Sequence, residues 1–454
     1  MSLDRRGYLY GLLRQEARQR IEEGCHREEI QSILDRVSES SGEEELLEAF
    51  ARMEAAQVDP GFPFHEPTAW EELTAVSPGF AAPSGTDPRS LPGLEDRMLG
   101  AWFGRCAGCA LGKPLERPTY MNWHGDVAGW QGVRIYLKAA GAWPLDWYVP
   151  QIEDVGDYGV RCPASTRGRI AYMETDDDIR YTVLGLTVLE RHGAGFTTGD
   201  VARAWWNTLP MGQTFTAERQ AYRNLADVMD SGEVEANLDY IRGHLNPFRE
   251  WIGAQIRADG WAYGAAGRPA LAAEFAYRDA ALSHVKNGIY GEMLFAAAIA
   301  AAFETGSPLD ALREGLRYIP SRSRLARDVA EAIELGLSTT DLDALHETLW
   351  KRWGHYDGVH TNNNAALVAA AIAWGGDDFE KTIVCAVTGG WDTDCNGATA
   401  GSLWGAAFGY AALPEKWTAP LNDTLYAAIP GFHPIAISEC ARRSAAVALK
   451  IAEA

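Results

Sequence analysis

Two short acidic runs, far apart along a chain of 454 residues, hold the residue types most able to do chemistry. The first, Thr175-Asp176-Asp177-Asp178, stands directly before the apolar stretch IRYTVLGLTVLE; the second, GGWDTDCNGATAG at 389–401, opens into SLWGAAFGYAAL. Each run alone also reads as a helix start, with Thr175 as a cap and Asp178 as its capping-box acid, and with Asn396 as the later cap. Gly389 and Gly390 permit an unusual backbone just before the second run. One cap needs one or two acids, however, and three adjacent carboxylates repel one another unless a cation neutralises them. Asp392 and Asp394 alternate with Thr393, so in an extended loop their side chains share one side. Together the runs offer hard oxygen donors of the kind Mg2+, Mn2+ or Ca2+ requires, and paired ions of this type share bridging carboxylates. The chain has no HExxH and no dense histidine set, which speaks against zinc or haem.

The elements that must position these residues read as helices. From Leu94 onward, long Ala- and Leu-rich stretches alternate with short Gly, Asn or Pro breaks, and alternating strand patterns are scarce, so an all-α bundle is expected. EMLFAAAIAAAF and NAALVAAAIAWGG are apolar nearly all round and belong inside it. GAWFGRCAGCALG spaces small residues three to four apart, which allows close helix packing; its Cys106 and Cys109 form a CxxC read as packing rather than as a zinc or redox site. Before the bundle, residues 1–57 carry amphipathic helical periodicity and residues 58–92 turn Pro-rich and aperiodic. We therefore divide the chain into an N-terminal helical extension with a linker, 1–92, and a catalytic domain, 93–454. The extension is expected to pack on the body or at a homo-oligomer contact, and to be dispensable for a metal site that lies wholly beyond it. Residues 117–172 interrupt the pattern with Trp-, Tyr- and Pro-rich sequence, an insertion whose Trp143, Trp147 and Tyr148 offer flat faces to a nucleobase or sugar.

Composition narrows the classes further. With 47% hydrophobic and 23% charged residues and no uncharged apolar run of about 18, the chain reads as globular rather than membrane-spanning. A net charge of −21 with no basic run argues against direct nucleic-acid binding. Seven scattered cysteines and an Arg- and Glu-rich N-terminus without a secretory pattern point to a reducing, cytoplasmic setting.

The segments GAWFGRCAGCALGKPLE (100–116), TDDD (175–178), SH (283–284) and GGWDTDCNGATAGSLWGAAFG (389–409) resemble, in order and separation, the ADP-ribosylglycohydrolase family of the dinitrogenase reductase-activating kind. The resemblance runs from about Leu94 to Leu413. It implies an all-α fold, two divalent ions, Mg2+ or Mn2+, and metal ligands at Thr175, Asp176, Asp177, Asp392 and Asp394. Cys395 stands where the family has Thr; a thiol is a softer donor, so it either weakens the second ion, favours Mn2+, or does not ligate. Cys109 replaces the Asp of the family's GDALG, and Asp178 follows the triplet in place of Thr. Glu116 matches an acidic loop position near the scissile bond, which makes Glu116 and Asp392 the candidate proton acceptors. The resemblance also places Gly253 and His284 against substrate, with Asn287 of the neighbouring polar stretch VKNGIYGEM as a further candidate, although a lone histidine beside an apolar helix more often reads as structural. WIGAQIRADGW, around Gly253, replaces a Gly-rich phosphate-contacting stretch. The implied reaction is cleavage of a ribosyl C1 bond, releasing ADP-ribose from a modified protein or small molecule. Two alternatives stay open: a same-fold hydrolase of a small N- or O-riboside or other glycoside, and a non-catalytic ADP-ribose-binding or crystallin-like member.

Overall fold

Residues 4–453 are described in a computed structural model, in which the expected all-α architecture is found: 23 α-helices and, among the described residues, only isolated β-bridges such as Trp251 to His360. At the N-terminus, α1 (Arg5–Glu22), α2 (Arg27–Leu34) and α3 (Glu43–Ala55) close a small apolar cluster of their own around Leu13, Leu46, Phe50 and Met53. Leu245 and Phe248 of the body pack against that cluster. The contact is also ionic. Arg249, itself buried, pairs with Glu16 at 2.6 Å and Glu23 at 3.0 Å, while Gln19 donates to Glu250 at 2.6 Å. The Pro-rich segment behaves as a strap: Glu66 pairs with Arg324 at 2.7 Å, and Leu73 and Leu91 enter the main core. The extension thus supplies the counter-charges of a buried arginine of the body, and removing it would leave Arg249 uncompensated.

The body is organised around one helix pair, α4 (Leu94–Gly112) and α9 (Thr393–Phe408). Between them in sequence come α5 (Asp177–His192), α6 (Thr216–Ala226), α7 (Lys286–Thr305) and α8 (Thr361–Gly375). Glycines at every fourth position of α4 meet glycines of α9 running the other way: Gly100 against Gly405, Gly104 against Gly401, Gly108 against Gly397. A Cβ at Gly100 would stand 2.5 Å from the Gly405 carbonyl oxygen, and at Gly104 and Gly108 it would be closer still. The two backbones therefore touch directly, and no residue larger than glycine fits. Cys106 and Cys109 lie buried as free thiols within this packed helix, as the small-residue pattern predicts. No described helix is long and apolar enough to cross a membrane.

Wedging this contact apart is expected to be costly. Gly108→Ala should lower stability by about 3 kcal/mol or more through overpacking against backbone that cannot retreat. Gly11→Ala, in α1 with open space around the added methyl, should be neutral or stabilising by about 0.5–1 kcal/mol. Thermal melts followed by circular dichroism measure both; equal melting points for the two variants would contradict the packing described.

Candidate metal centre

Because α4 and α9 run antiparallel, the end of one meets the start of the other. Gly112 faces Thr393, whose hydroxyl donates to the Gly112 carbonyl at 2.8 Å. Just past α4 the chain turns Lys113 and Glu116 into a cleft of about 500 Å³, and the start of α9 brings Asp392 and Asp394 into the same cleft. The start of α5 adds Thr175, Asp176, Asp177 and Asp178. Two acidic groups form: Glu116, Asp392 and Asp394, and a deeper one of Cys109, Asp176 and Asp178, each with ligand atoms within 4.8 Å of one another. The two sequence-distant aspartate runs thus converge.

Local geometry explains how each run is held. Asp176 rather than Thr175 caps α5, its Oδ1 accepting from the Asp178 amide at 3.0 Å. Its Oδ2 faces the Lys113 ammonium, which also donates to the Thr175 carbonyl at 2.9 Å. At the second run α9 begins directly after Asp392, so Asn396 is not its cap; Asn396 instead donates to Asn364 Oδ1 at 2.8 Å. Asn364, on α8, also accepts the Asp392 amide at 3.0 Å and so fixes the loop. Gly390 takes φ +78°, while Trp391 is held at φ +59°, a region costly for a large side chain, by its stack on Trp350 at 4.8 Å and its amide bond to the Tyr120 carbonyl at 3.0 Å.

Burial and mutual repulsion set the electrostatics. Loss of solvent, reinforced by Asp176 and Asp394, pushes Asp177 up to about 7; burial and neighbouring carboxylates likewise raise Asp178, Asp392 and Asp394. Asp176 is the exception. Burial would raise it too, but the Lys113 ammonium outweighs that and holds it down at about 2. Oδ1 of Asp394, only 2% exposed, has no hydrogen-bond partner. A buried unpaired carboxylate oxygen beside Glu116 and Asp392 fits a hard divalent cation, which would hold these acids ionised.

The structure brings together Glu116, Thr175, Asp176, Asp177, Asp392, Asp394 and Gly253. Gly253 leaves room for the Glu218 carboxylate, which a Cβ there would displace. Thr175 already accepts from Arg180 at 3.2 Å, and Glu116 is paired with Arg161. Other expected site residues lie elsewhere. Cys395 is fully buried and does not line the cleft. His284 is fully buried, 2.8 Å from the Ser283 hydroxyl, with its imidazole pushed well down by burial, so it remains neutral. Asn287 ties helices together, donating to Glu250 at 2.8 Å and accepting from the Leu325 amide at 3.0 Å. Of the insertion only Pro118, Met121 and Arg161 reach the cleft. Trp147 donates to the Lys416 carbonyl at 2.8 Å and buried Tyr148 to that of Trp417 at 2.6 Å, so these rings pack on the main core rather than line the cleft. The aromatic that does face the cleft is Phe215, half exposed just before α6, with Glu218 one turn on. A lone Phe before a helix gave no sign of this in sequence.

An all-α body in which three helix ends deliver acidic side chains to one cleft defines a helical scaffold with a candidate metal centre. The ADP-ribosylglycohydrolase family model matches residues 90–446, and the chain belongs to that family. Its members are glycosidases that are generally dependent on divalent metals and act on ADP-ribosylated substrates. A solved structure titled "ADP-ribosylglycohydrolase-related protein complex" is 20% identical, with 78% of this chain and 98% of that chain covered at a TM-score of 0.49. No curated protein matches the chain in sequence.

The placement of aromatics is testable by calorimetric titration with ADP-ribose. Phe215→Ala should weaken binding about tenfold with the melting temperature unchanged, the loss of one stacking face. Tyr148→Ala should cost about 3–5 kcal/mol of stability and leave affinity alone. Weaker binding for Tyr148→Ala at an unchanged melting point would reverse the assignment.

Proposed function

We propose that this protein is a divalent-metal-dependent hydrolase that cleaves a ribosyl C1 bond, removing ADP-ribose from a modified protein or small molecule. The observation that carries the reading is the buried Asp394 Oδ1, without a hydrogen-bond partner, beside Glu116 and Asp392 in the cleft of a chain of this family. A bound Mg2+ or Mn2+ would supply Lewis-acid polarisation of the ribose oxygens and of water. Glu116, Asp392 and Asp394 would hold it, with Asp177 beside them. The chain's own part is positional and acid–base. Water adds to C1 as the C1–N or C1–O bond breaks through an oxocarbenium-like state; its proton passes to Asp392 or Glu116, and the leaving group gains one. Lys113 holds the α5 entrance in place while Phe215 offers a face to the base.

One observation favours a smaller substrate. Glu218, paired with Arg257 at 3.0 Å and raised by burial to about 7, lies in the cleft against Gly253, where it gives a diphosphate no positive partner. A small N- or O-riboside avoids that conflict. Turnover of ADP-ribosyl-arginine, ADP-ribosyl-serine and a nucleoside panel, with and without EDTA, separates the two substrate classes. Activity is expected to vanish in EDTA and return with Mg2+ or Mn2+. Asp394→Asn should reduce turnover by at least about 10²-fold with the helical dichroism unchanged; full turnover in that variant overturns the mechanism.

A further inference from the structure

Lys113 places an ammonium inside the carboxylate cluster, against Asp176. It is 7% exposed and sits on the short turn Lys113–Leu115 immediately beyond α4, where the Gly112 to Thr393 backbone contact fixes its origin. Its ammonium donates to Asp176 Oδ2 and, at 2.9 Å, to the Thr175 carbonyl. With Asp176 Oδ1 already committed to the Asp178 amide, both oxygens of that carboxylate are in use. The Thr175 hydroxyl is in use as well, by Arg180. Asp178 is served from α4 by Arg105, whose guanidinium stands 3.5 Å from it and 2.6 Å from Asp259, both fully inside the protein. On the α5 side Asp176 thus has Lys113, Asp178 has Arg105 and Asp177 has Arg180 nearby, although Asp178 Oδ1 makes no hydrogen bond.

The α9 side differs. Asp394 Oδ1 is buried and unpartnered, Asp392 faces it, and Glu116 meets only Arg161, whose side chain is 46% exposed at the rim. The donors left for a second ion near α5 are poor: Cys109 offers a thiol where oxygen is wanted, and Cys395 does not line the cleft. A divalent ion beside Asp176 would also stand next to an ammonium.

We propose, on the functional reading above, that the Lys113 ammonium permanently occupies the place of one cation, so that the cleft binds a single divalent ion, held by Glu116, Asp392 and Asp394. Lysine suits the role as a compact point charge on a flexible stem. The charge balance that two ions would provide is then partly built into the chain, and only the α9 half of the site depends on metal supply.

The test is a count of Mn2+ on the full chain by equilibrium dialysis and elemental analysis, with binding isotherms from calorimetry. The intact protein should bind one Mn2+ per chain. Lys113→Ala and Lys113→Met, which free Asp176, should bind two, and Lys113→Arg, which keeps the charge, should bind one. Two ions on the intact protein overturn the proposal directly, whatever the variants do, and so does a count that stays at one in both folded neutral variants. A count of one rising to two without cleavage of any ribosyl bond supports the single-ion site and sinks the hydrolase reading instead. Two ions with full glycohydrolase activity does the reverse.

Discussion

The direct contact between the backbones of α4 and α9 is the constraint from which the site follows. Packing at glycine distance leaves no slack: the three glycine pairs set the register of the two helices, and the register sets which residues emerge at the end of the pair. Lys113 and Glu116 leave α4 at the point where Asp392 and Asp394 enter α9. No loop flexibility intervenes on this side. The other partner, α5, is tied to α4 by Arg105, which donates from within the core to Thr182 at 2.7 Å and to the Asp178 carbonyl at 2.8 Å. A buried arginine with five donors is expensive to bury and tolerable only because nearly every donor is spent on a neighbour.

Much of this was legible in sequence, for a physical reason. Glycines four apart in an otherwise apolar helix announce close approach, and carboxylates in excess of what capping needs announce a cation. The residues that were not legible are those whose role depends on which segments meet. Lys113 in KPLE looks like a solvated helix-end lysine until α5 is seen to bring Asp176 against it. Asn364 lies in a TNNN run with three plausible roles, and only the fold assigns one of them to the Asp392 amide. Trp147 and Tyr148 illustrate the opposite failure: an aromatic-rich insertion tethered at the cleft suggests a pocket wall, yet its middle packs on the main core around Trp417. Burial of large rings wins unless something holds them in solvent.

A similar competition explains the N-terminal extension. Its helices have apolar faces that require cover, and the body supplies Leu245 and Phe248; in return the extension supplies Glu16 and Glu23 to Arg249. Glu22, close by, is pushed up to about 7 by burial despite Arg18. The extension and the body are therefore packed together at this surface, although the candidate ligand clusters found among the described residues begin at Cys109.

Helix dipoles complete the account of why charge is distributed as it is. The acids stand at the starts of α5 and α9, where unpaired amides and the positive dipole end favour negative charge, and Lys113 stands just past the end of α4, where the negative end favours a cation. Each charge is thus placed where its own helix stabilises it by roughly 0.3–1 kcal/mol before any partner is counted. The antiparallel packing then brings a helix end with its cation against two helix starts with their acids, so the ion pair of Lys113 with Asp176 forms without either residue leaving the position its helix prefers. The arrangement runs short of cations. Six carboxylates, from Glu116, Asp176, Asp177, Asp178, Asp392 and Asp394, share the cleft with Lys113, Arg161 and Arg180, and Asp178 and Asp394 each keep a buried oxygen with no hydrogen-bond partner. A site with that imbalance must take up either protons or a divalent ion, and in a cleft open to substrate the ion can do chemistry that protons cannot.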